Sequence, residues 1–386
     1  MKKTAKQIFG KLQPFLGGAR RGSHANVIAP VISADDKAEV LSRIAFYLGL
    51  QPAQVTFHED LAMPVLLSDA PILLFGIKRE DLGAGIRAHG GVFDVDFRTN
   101  PVDGWSWIDA GDYAAQHVPD VAAARDCLFD FVETKQLGGF ERCYIFGTGP
   151  SLSLAANRGW ADGIRVVCNT IVRDPVLWRH IDPHFLMAGD AIYHFGFTEF
   201  ALAFRRDLRT RLEESDVLFV YPAQFDRVVR NELGHLAHRL VPIPEGRHVT
   251  VHEDFKIQFA TPALGNVLNR LLLPLACNLS KRVALWGFDG RAPSDQLFWA
   301  NAPQQSYTEL LPSLQKAHPA FFDKFVPKAD PEAYVRSVHG DVLEHCLSSA
   351  EAQGWAFEML HPTWTPTLAR RLAPGVAALP SAVVTV

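Results

Sequence analysis

Between Asp36 and Leu50 the apolar side chains Val40, Leu41, Ile44, Ala45 and Leu48 recur every three or four positions, which predicts a helix with one buried face. The run Pro71-Ile72-Leu73-Leu74-Phe75-Gly76 is short and continuously apolar and predicts a buried strand. Val92-Phe93-Asp94-Val95-Asp96-Phe97 alternates with period two, and Val121 to Glu133 returns to helical spacing before the breaker Gly138-Gly139. That change of pattern places a domain boundary near residue 135. Beyond it, short β-rich runs recur at residues 143–146, 164–168, 185–187, 217–220 and 283–286. Leu264 to Leu279 and Asp341 to Gln353 read as helices that would cover the sheet faces.

Buried strands alternating with helices describe an α/β fold, a doubly wound Rossmann-like parallel sheet, here preceded by a smaller N-terminal α/β domain. The expected organisation is a basic arm over 1–34, an N-terminal domain over 35–135 and a larger α/β domain over 136–386. In such sheets ligands bind beyond the carboxyl ends of the strands, so the chemistry is sought in the residues that follow each one.

Composition narrows the function. The 386 residues carry 38 Lys+Arg against 42 Asp+Glu, a net charge of -4, which is not the profile of a basic nucleic-acid binder. Five scattered cysteines, Cys127, Cys143, Cys168, Cys277 and Cys346, include no C-x-x-C pair and fit a reduced, cytoplasmic protein. No apolar run reaches the ~18–20 residues of a membrane-spanning helix. The charge is uneven only at the start, where Lys2, Lys3, Lys6, Lys11, Arg20 and Arg21 precede the first acid, Asp35. Ile8, Phe9, Leu12, Phe15 and Leu16 interleave with these cations. The arm is therefore either an irregular chain end or a peripheral contact with an anionic membrane surface. Gly10, Lys11, Gln13 and Pro14 interrupt its apolar stretch and argue against a cleaved signal peptide.

After the strand at 143–146 comes Gly147-Thr148-Gly149-Pro150-Ser151-Leu152. Two glycines permit a tight turn, and Pro150 and Ser151 suit the first positions of a helix whose amides face an anion. The loop lacks the third glycine of a dinucleotide fingerprint and the Gly-Lys-Ser/Thr ending of a P-loop. A plain strand-to-helix turn accounts for it equally well. Other strand ends are polar too: Asn169-Thr170, Gly189-Asp190 and Gly287-Phe288-Asp289-Gly290. Asp94-Val95-Asp96 has the Asp-x-Asp form that can hold a metal and a diphosphate, but its alternation is better read as an ordinary strand. No His-Glu-x-x-His, Gly-x-Ser-x-Gly or clustered Cys/His set occurs.

Taken in order, the glycine loop at Gly147, the Cys168-Asn169 step, Thr261 before a long helix, Gly287-Phe288-Asp289 and the later His339 resemble the bacterial sialyltransferases of glycosyltransferase family 42 and the related family 115 domains of unknown function. Asp182 to Asp190 is similar to a Pro-Asp segment of those domains. The resemblance covers roughly residues 140 to 362. It implies a metal-independent transferase, without cofactor, that moves a sialic acid-like or Kdo-like sugar from a CMP-sugar donor to a hydroxyl of a bacterial glycan. It implies nucleotide contacts by Gly147, Thr148, Gly149, Pro150, Ser151, Asn169, Thr170, Asp190, Thr261 and Asp289, with His339 as catalytic base. A histidine suits that task because its pKa lies near neutrality. His361-Pro362 is the second candidate, on the donor side.

Two departures stand out. The family's Thr-Ser-Gly segment is Thr261-Pro262-Ala263 here, and Pro262 has no amide to donate. The family's pair of lid tyrosines is not reproduced; Arg291, Trp299 and Tyr307 are the groups left to meet donor phosphate or acceptor. The stretch Gly290 to Arg336 reads as a lid or acceptor-binding insertion. Two other functions stay open at this point. One is a magnesium-dependent pterin diphosphokinase-like enzyme using Asp190 and Asp289. The other is a non-catalytic nucleotide-sugar-binding module.

Overall fold

The computed structural model describes residues 23–61, 65, 68–82, 90–291, 303–325 and 340–379. The chain divides into two compact units. The first joins Met1–Val118 with Gly196–Thr198 and Leu314–Phe325. The second holds Pro119–Phe195, Glu199–Ser313 and Val326–Val386.

The first unit is built on a four-stranded parallel sheet. Its strands are β1 (Ala25–Ile28), β2 (Val55–His58), β3 (Ile72–Leu74) and β4 (Val92–Asp94), in the order β2-β1-β3-β4. Val27 lies opposite both Phe57 and Leu73, and Leu73 opposite Phe93. Helix α1 (Ala34–Leu48) starts where the Ser33 hydroxyl accepts the Asp36 amide at 3.1 Å and stops at Gly49, whose φ of 71° favours glycine. It buries Val40, Ile44 and Tyr47, the last stacked at 5.8 Å on Trp107 of α2 (Asp103–Ala115). A charged cluster is closed inside the unit. Arg43 Nη1 donates to Asp103 Oδ2 at 2.8 Å, His318 Nδ1 lies 2.9 Å from the same carboxylate, and all three side chains are fully buried. The guanidinium sits 4.3 Å from the Phe97 ring and 4.5 Å from that of Phe197.

The second unit is a seven-stranded, wholly parallel sheet in the order β11-β10-β5-β6-β7-β8-β9. Its strands are β5 (Arg142–Phe146), β6 (Ile164–Cys168), β7 (Phe185–Met187), β8 (Leu218–Pro222), β9 (Leu240–Ile243), β10 (Arg282–Trp286) and β11 (Ala356–Met359). This is the expected Rossmann-like α/β architecture. From β5 the chain steps outward to β9, then returns to lay β10 on the other side of β5. The direction of winding therefore reverses between β5 and β10. One hydrophobic core joins Ile145, Val166, Met187, Val220 and Leu285 to the helices α3 (Val121–Thr134), α7 (Leu273–Leu279) and α9 (Val342–Glu351). Between them in the chain lie α4 (Pro175–Ile181), α5 (Glu199–Glu214) and α6 (Asp226–Leu233), and α8 (Leu311–Ala317), most of which belongs to the first unit.

Three readings of the sequence are corrected. The division falls at Val118 and Pro119 rather than near 135, because Ala124 and Leu128 of α3 belong to the core of the second unit. The stretch 1–34 is not all arm: Ala25–Ile28 is a fully buried central strand. The alternating run at 92–97 forms a strand only as far as Asp94, since Asp96 turns inward to accept Arg98 Nε at 3.0 Å and the Gly76 amide at 3.1 Å. Among the described residues no helix is long and apolar enough to cross a membrane, and all five thiols are free.

Candidate functional site

The loops that leave β5, β10 and β11 meet at the reversal point of the second unit. Gly147 N donates to Trp286 O at 2.7 Å and Gly149 N to Gly287 O at 2.9 Å, so the β5 and β10 loops continue the ladder of their strands. They approach so closely that a Cβ on Gly147 would lie 2.5 Å from Gly287 O, and one on Gly149 2.2 Å from Asp289 Oδ2. The two glycines of the loop are thus required by a neighbouring loop.

Asp289 accepts the Ser151 amide, 3.2 Å from each carboxylate oxygen, and lies 2.9 Å from Ser151 Oγ. The amide expected to face a ligand anion already faces a carboxylate of the protein. His361, following β11, completes the knot: its Nε2 accepts Gly287 N–H at 2.8 Å and lies 2.8 Å from Ser151 Oγ. Its Nδ1 lies 2.7 Å from Pro362 O and donates to it, which fixes the proton on Nδ1. Burial pushes His361 below the usual histidine range, against the opposing pull of the Asp289 charge. A Ser–His–Asp set invites comparison with a hydrolytic triad, but the Nε2 lone pair is engaged by a main-chain amide and the carboxylate touches the serine, not the imidazole. The set is an interlock of three loops. Thr363 Oγ1, donating to Phe288 O at 2.7 Å, and Trp364 N, donating to Asp289 O at 2.7 Å, reinforce it.

The end of β6 differs. Asn169 adopts a left-handed φ of 53°, and its side-chain Oδ1 is buried without a hydrogen-bond partner. The next residue, Thr170, donates its hydroxyl to the main-chain oxygen of Gln305. Gln305 is 1 % exposed; its Nε2 donates to Asp174 Oδ2 at 2.7 Å while its Oε1 is also buried and unpartnered. Two buried amide oxygens, one at the strand end and one on the segment that Thr170 holds, therefore lack donors among the described residues, an uncommon state for buried polar atoms. Gln305 had no signal in the sequence, being one glutamine in an irregular stretch.

The remaining expected residues are placed as follows. Asp190 Oδ1 accepts the amides of Ile192 and Tyr193, each at 2.8 Å. Thr261 is buried and turned to Pro244 O, which accepts its amide at 2.8 Å and its hydroxyl at 3.3 Å. Tyr307 donates to Asp207 Oδ2 at 2.6 Å beneath the Arg173 guanidinium, with its hydroxyl pushed well above the usual tyrosine range by burial. Thr148 is half-buried, Pro150 exposed and Arg291 half-buried. Trp299 and His339 lie outside the described residues, as do residues 292–302 and 326–336 of the stretch Gly290 to Arg336. Among the described residues, no group of three or more His, Cys, Asp or Glu is arranged to hold a metal ion.

A cleft of about 790 Å³ in the same unit lies at the other end of the sheet, beside Leu137, Gly138 and Gly139 before β5 and Leu279 before β10. The reversal of winding and the unpartnered amides single out the carboxyl end instead. No family model, curated protein or solved structure matches this chain.

Proposed function

We propose that the protein is a glycosyltransferase that binds a CMP-linked nonulosonic-acid-type sugar at the carboxyl edge of the seven-stranded sheet and passes the sugar to a hydroxyl of a bacterial surface glycan. The observation that carries the nucleotide half of this reading is the buried, donorless Oδ1 of Asn169, one strand from the point where the sheet reverses. A cytosine amino group or a ribose hydroxyl supplies the hydrogen that this oxygen lacks, and Gln305 Oε1 offers a second acceptor. The sugar half rests on the order of the sequence motifs.

In this reading His339 takes the proton of the acceptor hydroxyl as its oxygen attacks the anomeric carbon. The bond from that carbon to the phosphate oxygen breaks, and CMP leaves with the electron pair. Arg291, close behind Asp289 after β10, is the cation assigned in this reading to meet the departing phosphate. Release of CMP from CMP-sialic acid and CMP-Kdo in the presence of glycan acceptors tests the proposal. Turnover by the intact protein that His339→Ala reduces by about 10²-fold or more, the scale of lost acid–base catalysis, is the expected result. CMP release that is indifferent to His339→Ala would overturn the assignment of the base, and no release from either donor would overturn the transfer.

A further inference from the structure

The first unit carries a cleft of its own, of about 630 Å³, along the edge strand β4 and helix α2. Its polar and aromatic lining includes Arg79, Phe93, Asp94, Ser106, Asp109 and Tyr113. The aromatic wall is fixed in place. Tyr113 packs edge-on against Phe93 with ring centroids 5.7 Å apart, and it sits so close over Gly91 that a Cβ there would lie 2.7 Å from its ring. Asn100, 9 % exposed, props the floor: its Nδ2 donates to Asp94 O at 2.7 Å and to Ser106 Oγ at 3.2 Å, while its Oδ1 accepts the Val102 amide.

The two carboxylates in this cleft are not consumed by the fold. Asp94 receives one long bond, from the Asp96 amide at 3.5 Å, and among the described residues neither Asp94 nor Asp109 has a cation within ion-pair distance. Asp94 is held up to about 6, chiefly by burial; the Asp96 amide and Lys78 oppose that rise, and the charges of Asp96 and Glu80 add to it. Among the described lining residues the one cation is Arg79, which donates Nη1 to Val92 O at 2.9 Å.

This set discriminates between ligand classes. Among the described lining residues two carboxylates stand against one guanidinium, a balance that disfavours a phosphate. A guanidinium beside the carboxylates disfavours a plain ammonium. What remains is a ligand that supplies hydroxyl protons to acceptors, accepts from a guanidinium and a serine hydroxyl, and lays an apolar face on an aromatic ring. We propose that this cleft is a carbohydrate-binding site, which takes an uncharged, hydroxyl-rich sugar against Tyr113 and Phe93 with ligand hydroxyls donating to Asp94 and Asp109. The volume falls within the roughly 300–1,000 Å³ common for small-molecule sites. The proposal stands independently of the nucleotide reading.

The test is calorimetry on the full chain with lactose, cellobiose and N,N′-diacetylchitobiose, beside spermidine and inorganic phosphate. At least one saccharide binds, neither ion does, and Tyr113→Ala or Asp94→Asn weakens binding about tenfold or more, the loss of one hydrogen bond to a charged group or one ring contact. Binding also weakens as pH falls through about 6, because protonated Asp94 can no longer accept two hydroxyls. An unchanged unfolding midpoint in Asp94→Asn shows that this variant is folded. Three outcomes overturn the proposal: no saccharide binds, spermidine binds in their place, or both variants bind like the parent protein.

Discussion

Gly287→Ala probes the interlock at the reversal point. Gly287 has φ +77°, and a Cβ there would lie 2.2 Å from Gly147 O and 2.9 Å from Gly147 C. The left-handed backbone alone costs an L-residue about 1–2 kcal/mol. Forcing a methyl against a main-chain carbonyl that cannot swing away adds about 1–3 kcal/mol. The sum is about 2–5 kcal/mol. Gly354 supplies the internal control: its φ is +92°, yet nothing lies within 4 Å of a Cβ built there, so Gly354→Ala bears the backbone cost without the clash. Urea unfolding followed by tryptophan fluorescence reads both variants, since Trp160 and Trp286 pack 5.3 Å apart beside the loops. The account expects Gly287→Ala to lose more than Gly354→Ala by at least 1 kcal/mol, the lower end of the overpacking range. Equal losses would refute the claim that these glycines exist for loop–loop packing.

Other consequences follow from the buried charges. Asp103→Ala takes from the fully buried Arg43 its buried carboxylate, leaving only the partly exposed Glu39 at 3.1 Å, and is expected to destabilise the first unit by about 3 kcal/mol, the lower end for breaking a buried pair, while Arg43→Met combined with Asp103→Leu recovers much of that loss, both read from denaturant midpoints. His184, lowered to about 4, and His194, lowered to about 3, are kept neutral mainly by burial. The unfolded chain therefore binds more protons than the folded one below about pH 6.5, so stability is full above that pH and falls as pH drops toward 4. The slope is about 1.4 kcal/mol per pH unit for each such histidine once the unfolded form is protonated. Asp94, raised to about 6, works in the opposite direction within the first unit. Denaturation midpoints between pH 7.5 and 4.5 should show the net decline in the second unit, and His194→Phe should flatten it; a pH-independent midpoint would contradict the assignment of neutral buried histidines.

The sheet of the second unit was readable where strands are buried on both faces, because β5 and β10 are continuously apolar after a leading arginine and β6 is interrupted only by Arg165. The strands that escaped have specific reasons. Ala25–Ile28 is only four residues long, with Asn26 inside it and no periodic neighbour to extend the pattern. Leu240–Ile243 contains Pro242, which reads as a breaker; it is tolerated because β9 is an edge strand. The candidate residues were legible by position, since Gly147, Asn169, Asp289 and His361 all follow strands. Their partners were not. Nothing local in the sequence says that Asp289 would fill the anion seat at Ser151, 138 residues away, or that Gln305 would meet Thr170. Those pairings are set by strand order.

The central claim is that the carboxyl edge beside Asn169 holds a cytidine nucleotide. Calorimetric titration of the intact protein with CMP, run beside UDP, ATP with magnesium, and NAD, tests it most directly, with Asn169→Ala as the paired variant. The account predicts selective binding of CMP that weakens about tenfold or more in Asn169→Ala, the loss of a buried hydrogen bond. Binding of ATP with magnesium in place of CMP, or CMP binding untouched by Asn169→Ala, would contradict it.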